Sequence, residues 1–273
     1  MRPSFSIHYF SGDEKMHTME RALTQMLEYM RESAPLLKSR IRKGEVRREY
    51  FLLYYERLLE LVDGALRLIG QTKDWAPTNV LLRSALECSV DLCNLAQREG
   101  YEHIITAMMM DSKSALFHFK SEPTYSELVE LYGRDEVVKM GLRAKEDYDR
   151  ALKTATEHFP FIRNSSRNLN VLNRFRIAGQ EERYQTEYSL LSMVTHNDMT
   201  VMSLKDELDD ALDERAVDVL SDERAWNMCL RFLVDALAYK TQLFGRDDAL
   251  IQACMGCLEP VCDKQKRKEK NGC

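Results

Sequence analysis

Arg83, Glu87 and Asp91 stand four residues apart in an otherwise apolar stretch, and Asn94 follows three further on. On a helix, residues four apart sit one turn above another, so the four form a narrow polar stripe. Leu81, Leu82, Ala85, Leu86, Val90 and Leu92 surround it. An ordinary surface helix has a broader polar face, so this helix is expected to be buried. A guanidinium or carboxylate there must be paired, because an isolated buried charge is very costly. Far along the chain, Tyr188, Ser192 and His196 repeat the four-residue spacing. An imidazole titrates near neutral pH and can act as general acid or base. The two stripes are expected to share one polar pocket. In it His196, Arg83 and Glu87 would be the reacting set, with Tyr188, Ser192 and Asp91 binding. The plainer reading stays open beside it: an Arg–Glu pair that fixes helix packing, and a histidine that caps a helix end.

The stretch from Ile162 to Arg176 carries arginines and asparagines but no acidic residue. It reads as a loop followed by a short helix ending at Gly179. Arg163, Arg167 and Arg174 are candidate phosphate contacts, and a plain surface loop is the alternative. Glu87, Asp91 and His196 offer metal-type ligands, but bundle di-metal sites use Glu-x-x-His pairs, and these three residues do not form one. Cys254-Met255-Gly256-Cys257 is half of a zinc pattern with nothing to complete it. No metal or cofactor is expected. Phosphate-binding glycine loops, nucleophile elbows and metalloprotease motifs are missing from the sequence.

The elements that must position these residues are helices. Leu, Glu, Arg, Ala and Met are abundant, whereas 11 Gly and 6 Pro are few for 273 residues. Met16, Met19, Leu23, Met26 and Met30 mark one apolar face of a first long helix. It is either a packing surface or an adaptable docking surface for a partner. A second helix runs from about 45 to 69 and packs back on the first as a hairpin. Lys38, Arg40, Arg42, Lys43, Arg47 and Arg48 surround the turn, either complementing helix-end carbonyls or touching phosphate. The stripe helix starts near Pro77 and ends near Gly100. Helices then follow over about 102–119, 124–133, 135–157, 181–194, 221–243 and from 247 onward. The basic end after Lys264 reads as a frayed tail.

The expected fold is all-α: a single helical bundle of about eight to ten helices with a long N-terminal helical hairpin. Residues 1–44 form an arm packed on the bundle, 45–245 its core, and 246–273 a C-terminal helix and basic tail. A net charge of −5 argues against global steering toward nucleic acid, leaving only local patches. No apolar run approaches the roughly 18–20 residues that span a bilayer, and the first residues lack a secretory pattern. A cytoplasmic protein with its seven cysteines as thiols is the expectation, with no membrane partner.

Two resemblances add to this. The run Leu81 to Glu87, followed much later by Tyr188 to His196, resembles an uncharacterised bacterial family of all-helical domains. That family carries an Arg-x-x-x-Glu helix and a later Tyr-x-x-x-Ser-x-x-x-His helix. The resemblance spans about 45–243 and implies a site without naming its chemistry. More distantly, the chain is similar to the HEPN superfamily of helical nucleotide-binding proteins and ribonucleases. Its active members place an arginine four to six residues before a histidine, usually at a dimer interface, and cleave RNA without a metal. Here the residue five before His196 is Leu191, so Arg83 would have to substitute from another helix. The resemblance implies a metal-independent ribonuclease in bacterial defence or a toxin system, with RNA or a nucleotide as partner. A non-enzymatic interaction or sensing module, binding a protein partner or forming a homodimer through its helices, is the competing expectation.

Overall fold

The computed structural model describes residues 13–69, 76–118, 123–162, 170–195 and 222–271. Every regular element among them is helical. In chain order they are α1 (Asp13–Ser39), α2 (Val46–Leu68), α3 (Ala76–Gln97), α4 (Tyr101–His118), α5 (Pro123–Tyr132), α6 (Arg134–His158) and α7 (Val171–Ala178). Next comes α8, in three consecutive pieces: Glu181–Arg183, a π-helical turn Tyr184–Tyr188, and Ser189–Thr195. Then follow α9 (Asp222–Phe244) and α10 (Asp248–Asn271). The protein is an all-α bundle opened by a long helical hairpin, as its composition and periodicity predict. Among the described residues no helix is long and apolar enough to cross a membrane.

The packing follows from the apolar faces. Met19, Leu23, Met26 and Met30 are buried on α1, which lies against α2, α9 and α10. The methionine face is thus internal packing, not a surface for docking. On α2, Phe51, Tyr55, Leu58 and Val62 are fully buried. Each such side chain contributes about 1.5–3 kcal/mol on leaving water. The helix α3 occupies the centre, with α2, α9, α7 and the last piece of α8 around it. Its Leu82, Ala85, Leu86, Val90, Leu92 and Leu95 are inaccessible, as the narrowness of its polar stripe requires. The charged helix α6 lies along α4 and buries Val137, Ala144, Tyr148, Ala151 and Ala155.

Three arginines tie helix ends together. Arg47 donates to the carbonyl of Leu95 near the end of α3, and Arg48 to that of Leu243 near the end of α9. Arg98 donates to Ile177 at the end of α7. The last carbonyls of a helix have no partner of their own, and an arginine there also complements the helix dipole. Arg47 and Arg48 therefore serve neighbouring helices, and Arg48 also pairs with Glu45 of its own turn at 3.0 Å. Past Lys264 the chain continues as part of α10 to Asn271 instead of fraying. Ser11, which with Glu14 makes a capping-box pattern ahead of α1, and Ser221, which can cap α9, lie outside the described residues.

Candidate functional site

The stripe on α3 meets two other elements, one at each end. At its carboxy-terminal end stands α7. Asn170 caps that helix by accepting from the amide of Asn173, and Gly179 closes it in the left-handed conformation at φ 66°. Phe175, Ile177 and Ala178 are buried, which turns Arg174 inward as well. Its Nε donates to Asp91 Oδ1 at 2.9 Å, a second nitrogen bonds Asp91 Oδ2, and Nη1 lies 3.1 Å from Glu87 Oε2. Tyr101 on α4 donates to the same Asp91 oxygen at 2.6 Å. Asn94 donates to the carbonyl of Arg174 at 2.9 Å. Asp91, Tyr101 and Asn94 are inaccessible to solvent. Burial works against the charge of Arg174, but Asp91, Tyr101 and Glu87 outweigh it and hold its pKa well above the usual arginine value. Tyr101 is raised far above its usual range, by burial first and by Asp91 second.

At the other end stands α8. Arg83 Nη2 donates to the Tyr188 hydroxyl at 2.7 Å, and its guanidinium carbon lies 5.0 Å from that ring's centre. Arg83 Nε is 3.7 Å from Glu87 Oε1. These side chains are 21% and 25% exposed, against 8% for Arg174 and 0% for Asp91, so among the described residues the network is more open to solvent at this end. The Tyr188 hydroxyl titrates above its usual value, because of burial and, next, Glu87. It stays protonated at neutral pH and serves as a hydrogen-bonding group, not a base.

The π turn sets that contact. Its extra residue per turn shows in Ser189, whose backbone amide bonds the carbonyl of Tyr184, five residues back, and whose hydroxyl donates to the same oxygen at 2.9 Å. Tyr184 and Tyr188 stack at 5.1 Å with Phe175 against both, fixing the ring that Arg83 meets. On its other flank the same turn holds Glu187, which bonds Arg183 at 3.1 Å and Arg231 of α9 at 2.6 Å. Arg183 also lies 3.6 Å from Asp235. These pairings run α8 antiparallel to α9. Gln97 bonds Gln242, and Cys93 meets Tyr239, so α3 runs parallel to α9. It follows that α3 and α8 are antiparallel.

The structure brings together Arg83, Glu87, Asp91, Tyr188 and Arg174. Ser192 is half-buried one turn beyond Tyr188. His196, Arg163 and Arg167 lie outside the described residues. The carboxylates of Glu87 and Asp91 turn to the guanidinium of Arg174. Among the described residues no group of three His, Cys, Asp or Glu side chains could hold a metal. Cys254 and Cys257 are buried free thiols on α10. Sequence reasoning placed Arg174 with the loop arginines; the buried positions 175, 177 and 178 were the signal that it faces inward. It also missed Asn79, which extends the four-residue spacing of the stripe by one more turn and is 6% exposed.

Fold and site together define an all-helical protein with an ionic network threaded along its central helix and more open at one end. The sequence pattern of a family of unknown function, DUF5677, matches residues 48–212. That is more than half of the chain, and the protein belongs to this family. The matched range contains both stripes and excludes α1, α9 and α10. No curated protein and no solved structure matches the chain.

Proposed function

We propose that the protein acts on RNA or nucleotides as a metal-independent, HEPN-like ribonuclease. Arg83 steadies the phosphate charge, Glu87 orients Arg83, and Tyr188 and Ser192 supply hydrogen bonds. His196 is the acid–base, and Arg163 and Arg167 hold flanking phosphates. Arg174 supports the set by fixing Glu87 from behind. In the reaction the RNA 2′-oxygen bonds to phosphorus and the bond to the 5′-oxygen breaks. The proton leaves the 2′-hydroxyl and arrives on the 5′-oxygen through His196, so no metal or co-reactant is consumed. The observation that carries this reading is the Arg83–Tyr188 hydrogen bond of 2.7 Å. It joins the two stripes at an end of the network that is partly exposed, and in the sequence His196 continues the spacing of Tyr188 and Ser192. The test is total RNA incubated with wild type and with His196→Ala, in chelator. Cleavage by wild type and its loss in the variant is the expected result. An inert wild type, or the same cleavage from both, overturns the reading.

A second reading has its own observation. Asp91, Arg174, Tyr101 and Asn94 are buried and mutually bonded across α3, α4 and α7, which suits a helical interaction or sensing module held by a structural network. It predicts that Arg83→Met changes stability without changing any binding to RNA.

A further inference from the structure

Among the described residues, the buried Asn79 is a hydrogen-bond donor without an acceptor. The residue is 6% exposed, and its Nδ2 has no partner there. A buried polar group left in that state costs stability, so its retention asks for a reason. Its position supplies one. Asn79 lies on α3 one turn before Arg83, on the same stripe. Because α8 runs antiparallel to α3 and Tyr188 meets Arg83, the next turn of α8, with Ser192, comes level with Asn79. Asn79 also belongs to the first turn of a helix of 22 residues that has no acidic side chain there. The first amides of a helix lack intrahelical acceptors and carry partial positive charge, which favours an anion.

The geometry points to an anion site at the amino-terminal end of α3, built from Asn79 Nδ2, the Arg83 guanidinium and the Ser192 hydroxyl, that takes the phosphate group of the nucleotide or RNA. This rests on the reading of Arg83 as a phosphate residue and deepens it. The phosphate sits on the amino-terminal side of Arg83, away from the carboxylates of Glu87 and Asp91 and toward the end of α8 that His196 follows. Two ordinary acceptors of a lone amide donor, a buried water and a phosphate oxygen, make opposite forecasts for the same variants.

The experiment is calorimetric titration of the full chain with inorganic phosphate and with adenosine 5′-monophosphate, paired with thermal unfolding. Asn79→Leu removes the donor at nearly constant volume. It is expected to raise the unfolding midpoint, because an unsatisfied buried group is gone. It should weaken both ligands by about ten- to hundredfold, the worth of one hydrogen bond to a charged group. Asn79→Ala covers the case in which the leucine variant folds poorly. Alanine is the best helix former and adds no buried charge, so this variant folds, and it weakens both ligands to the same degree. Unchanged affinity in both Asn79 variants, with binding lost in Arg83→Met, overturns this site and leaves the role of Arg83 standing; that is the result a water-filled niche gives. A wild type that binds neither phosphate nor the nucleotide overturns the site and the proposed function together.

Discussion

Arg174 of α7 and Asp91 of α3, 83 positions apart, form a bidentate ion pair with no access to solvent on the carboxylate side. The pair pins a short helix of eight residues onto the centre of the bundle. So short a helix is not stable by itself, and its place depends on such tertiary contacts. Removing Asp91 leaves the buried Arg174 with only the partly exposed Glu87 as counter-charge. Asp91→Asn is expected to cost about 3–5 kcal/mol, measured by urea denaturation. The double variant Asp91→Leu with Arg174→Met removes both charges and should recover most of that loss. A double variant as unstable as the single changes added together would contradict the pairing.

Tyr188→Phe keeps the stack on Tyr184 and Phe175 and removes only the oxygen that Arg83 bonds. Stability should fall by no more than about 1.5 kcal/mol. RNA or phosphate binding should fall by a larger free energy, since Arg83 loses the group that orients it. Titration and chemical denaturation on one preparation compare the two effects.

Lys240 is 1% exposed, and its ammonium lies 3.1 Å from Asp247, the residue that caps the first turn of α10. Asp247→Asn keeps a capping side chain but strands a buried cation, at a cost of about 3 kcal/mol. The Asp247 carboxyl is held below its usual value, first by the Leu250 amide and then by Lys240. A value depressed by folding means that the stabilisation is complete above the unfolded value, about 4. It is lost as pH falls through the folded one. Wild type and Asp247→Asn should therefore differ most at pH 7 and converge in strong acid. Thermal midpoints across pH check it; a gap that widens toward acid contradicts it.

Gly100 turns the chain between α3 and α4 at φ 82°. A Cβ there would lie 2.3 Å from the His158 ring, which itself stacks on His103. Gly100→Ala should lose at least about 1–2 kcal/mol for the left-handed backbone alone, and more for the displaced ring. Adding His158→Ala should return the excess. A full thermodynamic cycle by denaturation gives the coupling, and a coupling near zero would remove the steric account.

The helical architecture was legible because the apolar spacing on α1 and α3 follows the helical period and breaks fall at Gly44, Gly100 and Gly179. The stripe on α3 was legible for the same reason: four-residue spacing survives in sequence as it does in space. Arg174 was not. Its neighbours Asn170, Asn173 and Arg176 give the segment the composition of a surface loop, and eight residues are too few for periodicity to outweigh that. Asn79 was hidden by its closeness to Pro77, where the chain reads as a boundary rather than a stripe. The π turn leaves no compositional trace at all, because it is an extra residue in a turn and not a kind of residue.

That turn divides the work of α8. An added residue advances everything after it by about 100° around the helix axis, since an α-helix has about 3.6 residues per turn. The first half of α8 answers to α9 through Arg183 and Glu187, and the second half answers to α3 from Tyr188 onward. In an unbroken α-helix both faces would be locked in phase, and any adjustment toward one neighbour would swing the other out of contact. Here the two halves are set like two cams on one shaft, each timed to its own follower. Deleting Gln185 would put them back in step, and Tyr188 would then rotate away from Arg83 while Arg183 kept its grip on Asp235.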